Sequence, residues 1–419
     1  MASPPFPQLA SEWTDFISDY MTYSEGDAST EIHRMWSGIA LVAGACERRV
    51  WVRVGSRVCF PNLYVLLVAP PGSGKQIIDD VREIWRETEE PSGGKAFHVA
   101  PDNMTRASLI DELASATQTR MIPSAGRKDA LENYTYHSLL IAAEEFEHFL
   151  PAWDSDYIAT LNSIWNNKSE HRETRRHGQH QDVTISLPQL NIIGGVQPAY
   201  LAREFVESTW STGIARRVIM VYSDELPLMD VFQPTPNRED RRQRLLLKLG
   251  LISEMFGEVH WSPEALEFAR KWHLSGCPPE PTHSKLKSYN TSRTQQLAKL
   301  STISAASRTA SYTIDIIDVR RAQQWLIHAE SVMPDIFRAM EKRSDKEILE
   351  NLHIHVTRLW GISKKAVPTS SIYHYLSTCA PVSSIDKLIQ VAERSNIIRK
   401  VQGSDTLWTP IPRDQHGLE

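Results

Sequence analysis

An apolar run that ends in a glycine-rich turn constrains this chain more than any other stretch. The run covers residues 63–69, and the turn Pro70–Gly74 leads through Lys75 into a segment whose periodicity predicts a helix from about Gln76. Glycines let backbone N–H groups curl around an anion, the helix N-terminus adds a favourable dipole, and the lysine adds a positive charge. The order strand, loop, helix therefore predicts a phosphate-binding loop.

The turn departs at two positions from the pattern G-x-x-x-x-G-K-[ST]. Ala69 replaces the first glycine, a mild change because that residue mainly closes the strand. Gln76 replaces the Ser or Thr whose hydroxyl ordinarily ligates Mg²⁺; an amide oxygen is also a possible ligand, on a longer side chain. The alternative is an ordinary turn that happens to hold a lysine. The residues expected to contact ATP are Pro71, Gly72, Ser73, Gly74, Lys75 and Gln76.

Length and charge limit the remaining possibilities. A chain of 419 residues with 41% hydrophobic and 23% charged residues predicts two or three globular domains. The net charge of −5 means that any nucleic-acid contact must come from local basic patches. The four cysteines lie far apart and predict reduced thiols rather than a metal site. Without a signal sequence or a membrane-spanning run, we expect a cytoplasmic protein with no membrane partner.

A second informative stretch ends in two acids. Residues 138–143 predict a buried strand, and Glu144 and Glu145 follow it directly. Metal-assisted phosphoryl transfer uses one acid at the Mg²⁺ and a second to orient or deprotonate the attacking water. Glu144 occupies the metal position and Glu145 the base position. The alternative is a strand end that meets solvent, where acids are common.

Basic residues mark a predicted β-hairpin over residues 168–187. Apolar residues alternate with polar ones from Val183 to Leu187, and Gly178 marks a turn. A basic hairpin beside an ATPase core can follow a nucleic-acid backbone, whereas the alternative is a solvated surface hairpin. The residues expected to contact DNA here are Arg172, Arg175, Arg176 and His177.

Two further strands carry polar residues at their ends. Residues 190–197 predict a core strand in which Asn191 or Gln197 is a candidate for sensing a γ-phosphate, unless each amide simply bonds the backbone. Arg216 and Arg217 precede the last predicted strand, and an arginine there can reach the phosphates of a neighbouring subunit. Arg217 is favoured because it adjoins the strand, and the alternative for it is a salt bridge.

The second half of the chain is predominantly helical. Four predicted helices follow a Pro-rich joint and predict a lid, and three short helices with a terminal hairpin predict a winged helix. Lys387 and Arg394 lie on its expected DNA recognition helix, although winged helices also dock proteins. The predicted domains are a helical collar (1–55), a nucleotide-binding core (56–232), a helical lid (233–342) and the winged helix (343–419).

The order of these motifs resembles that of the AAA+ ATPases of the minichromosome-maintenance helicase type. Three stretches also resemble phage- and prophage-borne replicative helicase-like ATPases: Pro61–Lys75, Val99–Ala114 and Gly194–Ala202. The resemblance implies an α/β P-loop NTPase with an AAA+-like parallel sheet and flanking helices. It further implies that Lys75 binds phosphate, Glu145 is the base, Asn191 is sensor 1, Arg217 is the arginine finger and Arg293 is sensor 2. Gln76 and Glu144 depart from the usual residues of such ATPases.

The function implied is an ATP- and Mg²⁺-dependent DNA helicase or translocase of a phage replication module. We expect a homo-oligomeric ring, with a hexamer as the expected size, acting on single-stranded or forked DNA beside other replication proteins in a bacterial host. A helicase loader or replication initiator that binds DNA as an ATP-dependent switch is the second hypothesis, supported by Gln76. An interaction scaffold that keeps nucleotide for stability is the third.

Overall fold

The boundary between two units of the chain falls between Ile336 and Phe337. Both units combine helices with strands, so the protein is α/β, with a mixed and largely parallel central sheet. Within the described residues, no helix is both long enough and apolar enough to cross a bilayer. The structure, a computed structural model, describes residues 14–123, 131–146, 155–173, 183–204, 210, 213–230, 232, 236–377, 382–404 and 406–412.

Short strands alternate with helices along the first unit, and the second unit repeats this on a smaller scale. The strands are β1 (Val50–Val54), β2 (Arg57–Cys59), β3 (Tyr64–Val68), β4 (Thr117–Pro123), β5 (Leu131–Ala143), β6 (Glu170–Glu173), β7 (Val183–Ser186), β8 (Pro188–Val196), β9 (Val218–Tyr222), β10 (Gly257–Trp261), β11 (Thr313–Ile314), β12 (Val367–Pro368), β13 (Ile398–Lys400) and β14 (Leu407–Pro410). The helices are α1 (Phe16–Tyr23), α2 (Glu31–Cys46), α3 (Ile77–Glu87), α4 (Arg106–Ser115), α5 (Ser155–Trp165), α6 (Pro198–Glu204), α7 (Arg238–Ile252), α8 (Pro263–Leu274), α9 (Lys287–Asn290), α10 (Arg293–Thr309), α11 (Ile316–Ser363), α12 (Thr369–Ser377) and α13 (Val382–Arg394).

The central sheet of the first unit has the strand order β4-β5-β8-β3-β9. Strands β5, β8, β3 and β9 run parallel, and β4 pairs antiparallel with β5 at one edge. All residues of β3, β8 and β9 are buried, as expected for strands covered on both faces. The predicted core strands are therefore confirmed. Residues 97–100 contribute a single parallel bridge, between Val99 and Leu140.

A smaller sheet unites the N-terminal residues with the segment predicted as a lid. Its order is β11-β10-β1-β2, with β10 parallel to both β1 and β11. The predicted collar (1–55) and the predicted lid (233–342) thus share one sheet, and both belong mainly to the first unit. Strand β4 pairs antiparallel with the start of β5 and so extends the central sheet at its edge.

Helix α2 lies in the interior of the first unit. It has 16 residues, and all but three of them are buried. Gly44 permits a close approach to α3, because a Cβ there would lie 2.7 Å from the Trp85 ring. The Trp85 indole N–H donates to the carbonyl of Leu41 at 3.3 Å, which fixes α2 against the helix that follows the glycine turn.

The second unit folds around its own apolar core. The core includes Leu352 from α11, Ile372 from α12 and Trp408 from β14. A three-stranded antiparallel sheet of order β12-β14-β13 completes it, so the hairpin predicted over residues 397–410 is confirmed. Helix α11 is a single helix of 48 residues with Pro334 inside it.

A buried cation lies at the amino ends of the central strands. The Lys299 ammonium donates to the backbone and side-chain oxygens of Asn62, at 2.6 Å each, and lies 3.9 Å from the ring centre of Trp165. Burial lowers the pKa of Lys299 to about 7. Folding therefore disfavours the charged form of this side chain.

Lys299 predicts a pH dependence of stability. The unfolded chain keeps this proton up to about pH 10.4, whereas the folded chain releases it near pH 7, so stability rises between these values by up to about 1.4 kcal/mol per pH unit. Lys299→Met should flatten that rise in urea unfolding measured from pH 7 to 9. Lys271→Met, on the exposed face of α8, is the control. An unchanged slope in Lys299→Met would contradict this account.

Candidate functional site

The carboxyl ends of four parallel strands meet at one edge of the central sheet. Val68 at the end of β3 pairs with Val196 of β8 on one side and Tyr222 of β9 on the other. Ala143 at the end of β5 pairs with Gly194 of β8. In open α/β sheets ligands bind at this edge. The glycine turn, the acid pair and Gln197 all follow directly from these strand ends.

The glycine turn presents its backbone N–H groups without internal partners. Gly72 and Gly74 have φ of +80° and +73°, a conformation that glycine adopts without strain. The N–H groups of Gly72, Ser73 and Gly74 donate no hydrogen bond to any residue that the structure describes. The Ser73 hydroxyl donates to the carbonyl of Pro70 at 2.6 Å, which stabilises the turn from within. Successive free N–H groups of this kind form a concave site for an anion.

One side of the turn is closed by the connection between α1 and α2. A Cβ on Gly74 would lie 1.6 Å from the carbonyl oxygen of Ala28 and 2.8 Å from the Cα of Ser29. A Cβ on Gly72 would meet no atom within 4 Å. The turn is therefore packed against the chain at Gly74, whereas the Cβ position of Gly72 is open.

Lys75 and Gln76 complete the turn and differ in exposure. Lys75 is half-buried, whereas Gln76 is exposed and precedes the first residue of α3. The buried imidazole of His33 lies close enough to feel the charge of Lys75, and its Nε2 is 3.1 Å from the carbonyl oxygen of Val221. Burial lowers the pKa of His33 and the charge of Lys75 lowers it further, whereas the hydrogen bond with the Val221 carbonyl raises it, so that the pKa is about 4. His33 is therefore neutral at physiological pH.

The acid pair lies beside the helix that leaves the glycine turn. A Cβ on Gly195 would be 2.2 Å from the carbonyl oxygen of Glu144 and 3.1 Å from Cδ1 of Ile78. Gly195 thus lets the two elements approach. Glu144 is half-buried and Glu145 is exposed. Among the described residues no three His, Cys, Asp or Glu side chains cluster as a metal site. A nucleotide-bound Mg²⁺ needs only one or two carboxylates, so these acids fit it.

The two predicted phosphate sensors lie at different levels of β8, and Asn191 is the fourth of its nine residues. Gln197 follows the last residue of β8, and its carbonyl accepts hydrogen bonds from the N–H groups of Tyr200 and Leu201. Asn191 is buried, and its Oδ1 accepts from the N–H of Leu63 at 3.0 Å, at the amino end of β3. The predicted sensor role of Asn191 is therefore corrected to that of a backbone-bonded amide, while Gln197 remains at the functional edge.

Arg217 is held inside its own chain. Its guanidinium donates to the carbonyl of Gly213 at 2.6 Å and to Oδ1 of Asn166 at 2.9 Å, and it lies over the ring of Trp165. Only 4% of the residue is exposed, and burial, assisted by the charge of Arg216, lowers its pKa to about 10. The predicted finger role of Arg217 is corrected to a structural one. Arg216, which was the less favoured candidate, is the exposed arginine.

Arg293 is also committed to internal partners. It forms a buried ion pair with Glu330, with distances of 2.8 and 2.6 Å to the two carboxylate oxygens. It also donates to the carbonyls of Cys277 and Pro279. Because 1% of the residue is exposed, Arg293 is not available to a nucleotide, and its predicted role as sensor 2 is corrected.

The predicted basic hairpin is present as the antiparallel pair β6–β7. Arg172 is exposed on β6, where it forms an ion pair with Glu170 at 3.0 Å. Arg106 of α4 is paired with Glu173 at 3.1 Å. Arg175, Arg176 and His177 lie outside the described residues. In the second unit, Lys387 and Arg394 are both exposed on α13, as predicted for a recognition surface.

Sequence patterns gave no signal for the residues that close the glycine turn. Ala28 and His33 lie more than 40 positions before Gly74 and belong to no motif. Buried side-chain atoms of Ser29, Thr30 and His33 have no hydrogen-bond partner among the described residues. The edge therefore combines free backbone donors, one lysine and two acids, which can bind and cleave a phosphate ester. No protein-family model and no curated protein matches the chain.

Gly74 predicts a strong local effect on stability. A left-handed conformation costs an L-residue roughly 1–2 kcal/mol, and at Gly74 a Cβ must also displace Ala28. We therefore expect Gly74→Ala to lower the free energy of unfolding more than Gly93→Ala does. Gly93 has φ of +89° but open space around it, so it isolates the conformational cost. Equal losses in urea unfolding would show that Ala28 does not pack on the turn.

Proposed function

We propose that the chain is an ATP hydrolase with a P-loop NTPase core of the AAA+ type, a helical lid and a C-terminal winged helix. The observation that carries this proposal is the set of N–H groups at Gly72, Ser73 and Gly74 that find no acceptor among the described residues. Lys75 adjoins them, and Glu144 and Glu145 follow the strand two places away in the same sheet. Phosphate recognition needs the first set, and metal-assisted hydrolysis needs the second.

Each residue of the edge has a chemical task in this proposal. The N–H groups of the turn and Lys75 hold the phosphates, and Gln197 donates its amide to a phosphate oxygen or to water. The half-buried Glu144 and the amide of Gln76 are the residues that would hold Mg²⁺, which neutralises phosphate charge when bound. The exposed Glu145 orients the attacking water and accepts its proton.

Arg216 is the finger in this proposal. It precedes β9, so it lies at the amino edge of the sheet, away from the glycine turn of its own chain. In this proposal the exposed side chain serves the site of another copy, because it lies away from the site of its own chain. The extended segment after β9 exposes Leu228 completely and Phe232 by 93%, which favours contact with such a copy. A closed ring, with a hexamer as its expected size, satisfies both features.

DNA is the proposed second substrate. The exposed Arg172 on β6 gives the hairpin a cationic side chain for a phosphate backbone, and Lys387 and Arg394 give α13 two more. Phosphate contacts of this kind bind single strands without reading sequence. We infer that hydrolysis moves the hairpin along single-stranded or forked DNA, as in a helicase or translocase.

Gln76 favours a second candidate, an ATP-dependent switch that loads a helicase or marks a replication origin. The amide is exposed and stands where a hydroxyl ordinarily ligates Mg²⁺. Weaker binding of Mg²⁺ slows the hydrolysis of ATP and leaves the binding of ATP intact. Strand displacement on a forked substrate distinguishes the two candidates, because a switch binds the fork without unwinding it.

The proposal predicts separate losses at Lys75 and Glu145. Lys75→Ala should abolish binding of a fluorescent ATP analogue, whereas Glu145→Gln should retain binding and lose turnover by roughly 10²–10⁴-fold. Lys95→Ala, an exposed lysine distant in sequence, is the control for charge. Wild-type turnover should rise with single-stranded DNA. Hydrolysis that ignores DNA would rule out a DNA motor.

The two neighbouring arginines predict opposite outcomes. Arg216→Ala should leave thermal unfolding unchanged and reduce turnover roughly a thousandfold, the magnitude associated with an arginine finger. Arg217→Ala should lower stability by about 1–3 kcal/mol, because it leaves the carbonyl of Gly213 and the amide of Asn166 unpaired. Wild-type turnover in Arg216→Ala would remove this residue from the mechanism.

A further inference from the structure

Helix α2 connects the glycine turn with the root of the basic hairpin. Its 16 residues span about 24 Å. At its amino end, the residues that precede it pack on Gly74 through Ala28. At its carboxyl end the chain continues directly to Arg48.

Arg48 holds the hairpin from both sides. Its NH1 donates to the carbonyl of Pro188 at 2.9 Å, and its NH2 donates to the carbonyls of Asn167 and Lys168 at 2.9 and 3.1 Å. Asn167 and Lys168 precede β6, and Pro188 follows β7. The guanidinium packs 4.7 Å from the ring centre of Phe60, and 4% of the residue is exposed. One buried side chain therefore joins the two ends of the hairpin.

The hairpin root has a defined backbone conformation. Asn167 and Leu187 have φ of +53° and +45°, which L-residues rarely adopt, and the N–H of Leu187 donates to the carbonyl of Ser169 at 2.7 Å. The His137 ring nitrogen Nδ1 lies 2.7 Å from the carbonyl oxygen of Ser186. Because the backbone of the hairpin root has little freedom to move, a displacement of Arg48 would displace β6 and β7 together.

Helix α2 is equally constrained along its length. Trp85 of α3 packs directly on Gly44, and α3 begins at the glycine turn. The turn is therefore linked to α2 in two ways: Ala28, in the connection that leads into α2, packs on Gly74, and Trp85 of α3 packs on Gly44. Between these contacts and Arg48 lies a helix that is buried along most of its length.

We propose that Arg48 is a positioning residue that makes the placement of the β6–β7 hairpin depend on the state of the glycine turn. The inference rests on the proposed function for the ligands at the two ends, a nucleotide at the turn and single-stranded DNA at the hairpin. Its physical basis is the continuous packing from Gly74 through α2 to the three carbonyls at the hairpin root.

Hydrogen exchange of the wild-type chain tests the connection directly. Addition of a slowly hydrolysed ATP analogue should slow exchange at residues 72–78 and also change exchange at 168–173 and 183–187. Protection of the turn with no change at the hairpin would overturn the inference and leave nucleotide binding standing. No protection of the turn would overturn the proposed function, and the inference with it.

A conservative variant tests the arginine itself. Arg48→Lys keeps the charge but offers no planar fork to span three carbonyls. We expect unchanged nucleotide affinity, and a loss of about tenfold in the extent to which nucleotide strengthens binding of a fluorescent single-stranded oligonucleotide, corresponding to roughly one charge-assisted hydrogen bond. Arg57→Lys, exposed on β2, should behave as wild type.

A full nucleotide effect in folded Arg48→Lys would overturn the inference. Thermal unfolding identifies a variant that does not fold, and the exchange measurement on the wild-type chain then decides the question alone. If the wild-type chain binds no oligonucleotide, the proposed DNA function fails, whereas the exchange result still decides whether the turn and the hairpin are connected.

Discussion

The shared direction of four central strands determines which residues can act together. Because β3 pairs in parallel with β8 and with β9, their carboxyl ends align, and β5 adds its own end through β8. Backbone hydrogen bonds in the sheet thus bring the glycine turn, Gln197 and the two acids to one edge. No side-chain contact between these residues is needed to assemble them, and small residues such as Gly195 only permit the final approach.

The same strand direction separates residues that sequence motifs grouped together. Asn191 pairs with Leu140, three residues before the end of β5, and its side chain accepts from the N–H of Leu63, five residues before the end of β3, or about 16 Å along that strand. Arg217 precedes β9 at this amino edge. A motif records order along the chain, but a strand places its two ends at opposite sides of the sheet. The apolar runs therefore located the strands, whereas the roles that the resemblance implied for Asn191 and Arg217 do not fit the partners of these two side chains.

Local patterns predicted the elements whose periodicity is strong, including β3, β5, β8, β9 and α2. They missed β10 and β11, whose partners lie far away in the sequence: β10 pairs with β1, and β11 pairs with β10. Local patterns also failed to predict the role of a side chain whose partner is distant in the sequence. Arg293 was predicted at a nucleotide, yet its carboxylate partner lies 37 positions away, and no spacing rule connects the two. The exposed Arg216 and the buried Arg217 likewise differ only by tertiary packing.

The glycine turn finally depends on ion pairs that lie beyond it. Arg238 of α7 pairs with Asp27, next to the Ala28 that packs on Gly74, and Arg242, one turn later, pairs with Asp80 of α3. Burial raises the pKa of Asp80, while the Tyr23 hydroxyl and Arg242 oppose that rise. Removing such charges from water offsets much of their attraction, so they add little stability. Their effect is geometric, because α7 holds both the segment at Asp27 and Ala28, which covers the glycine turn, and α3, which begins after the turn.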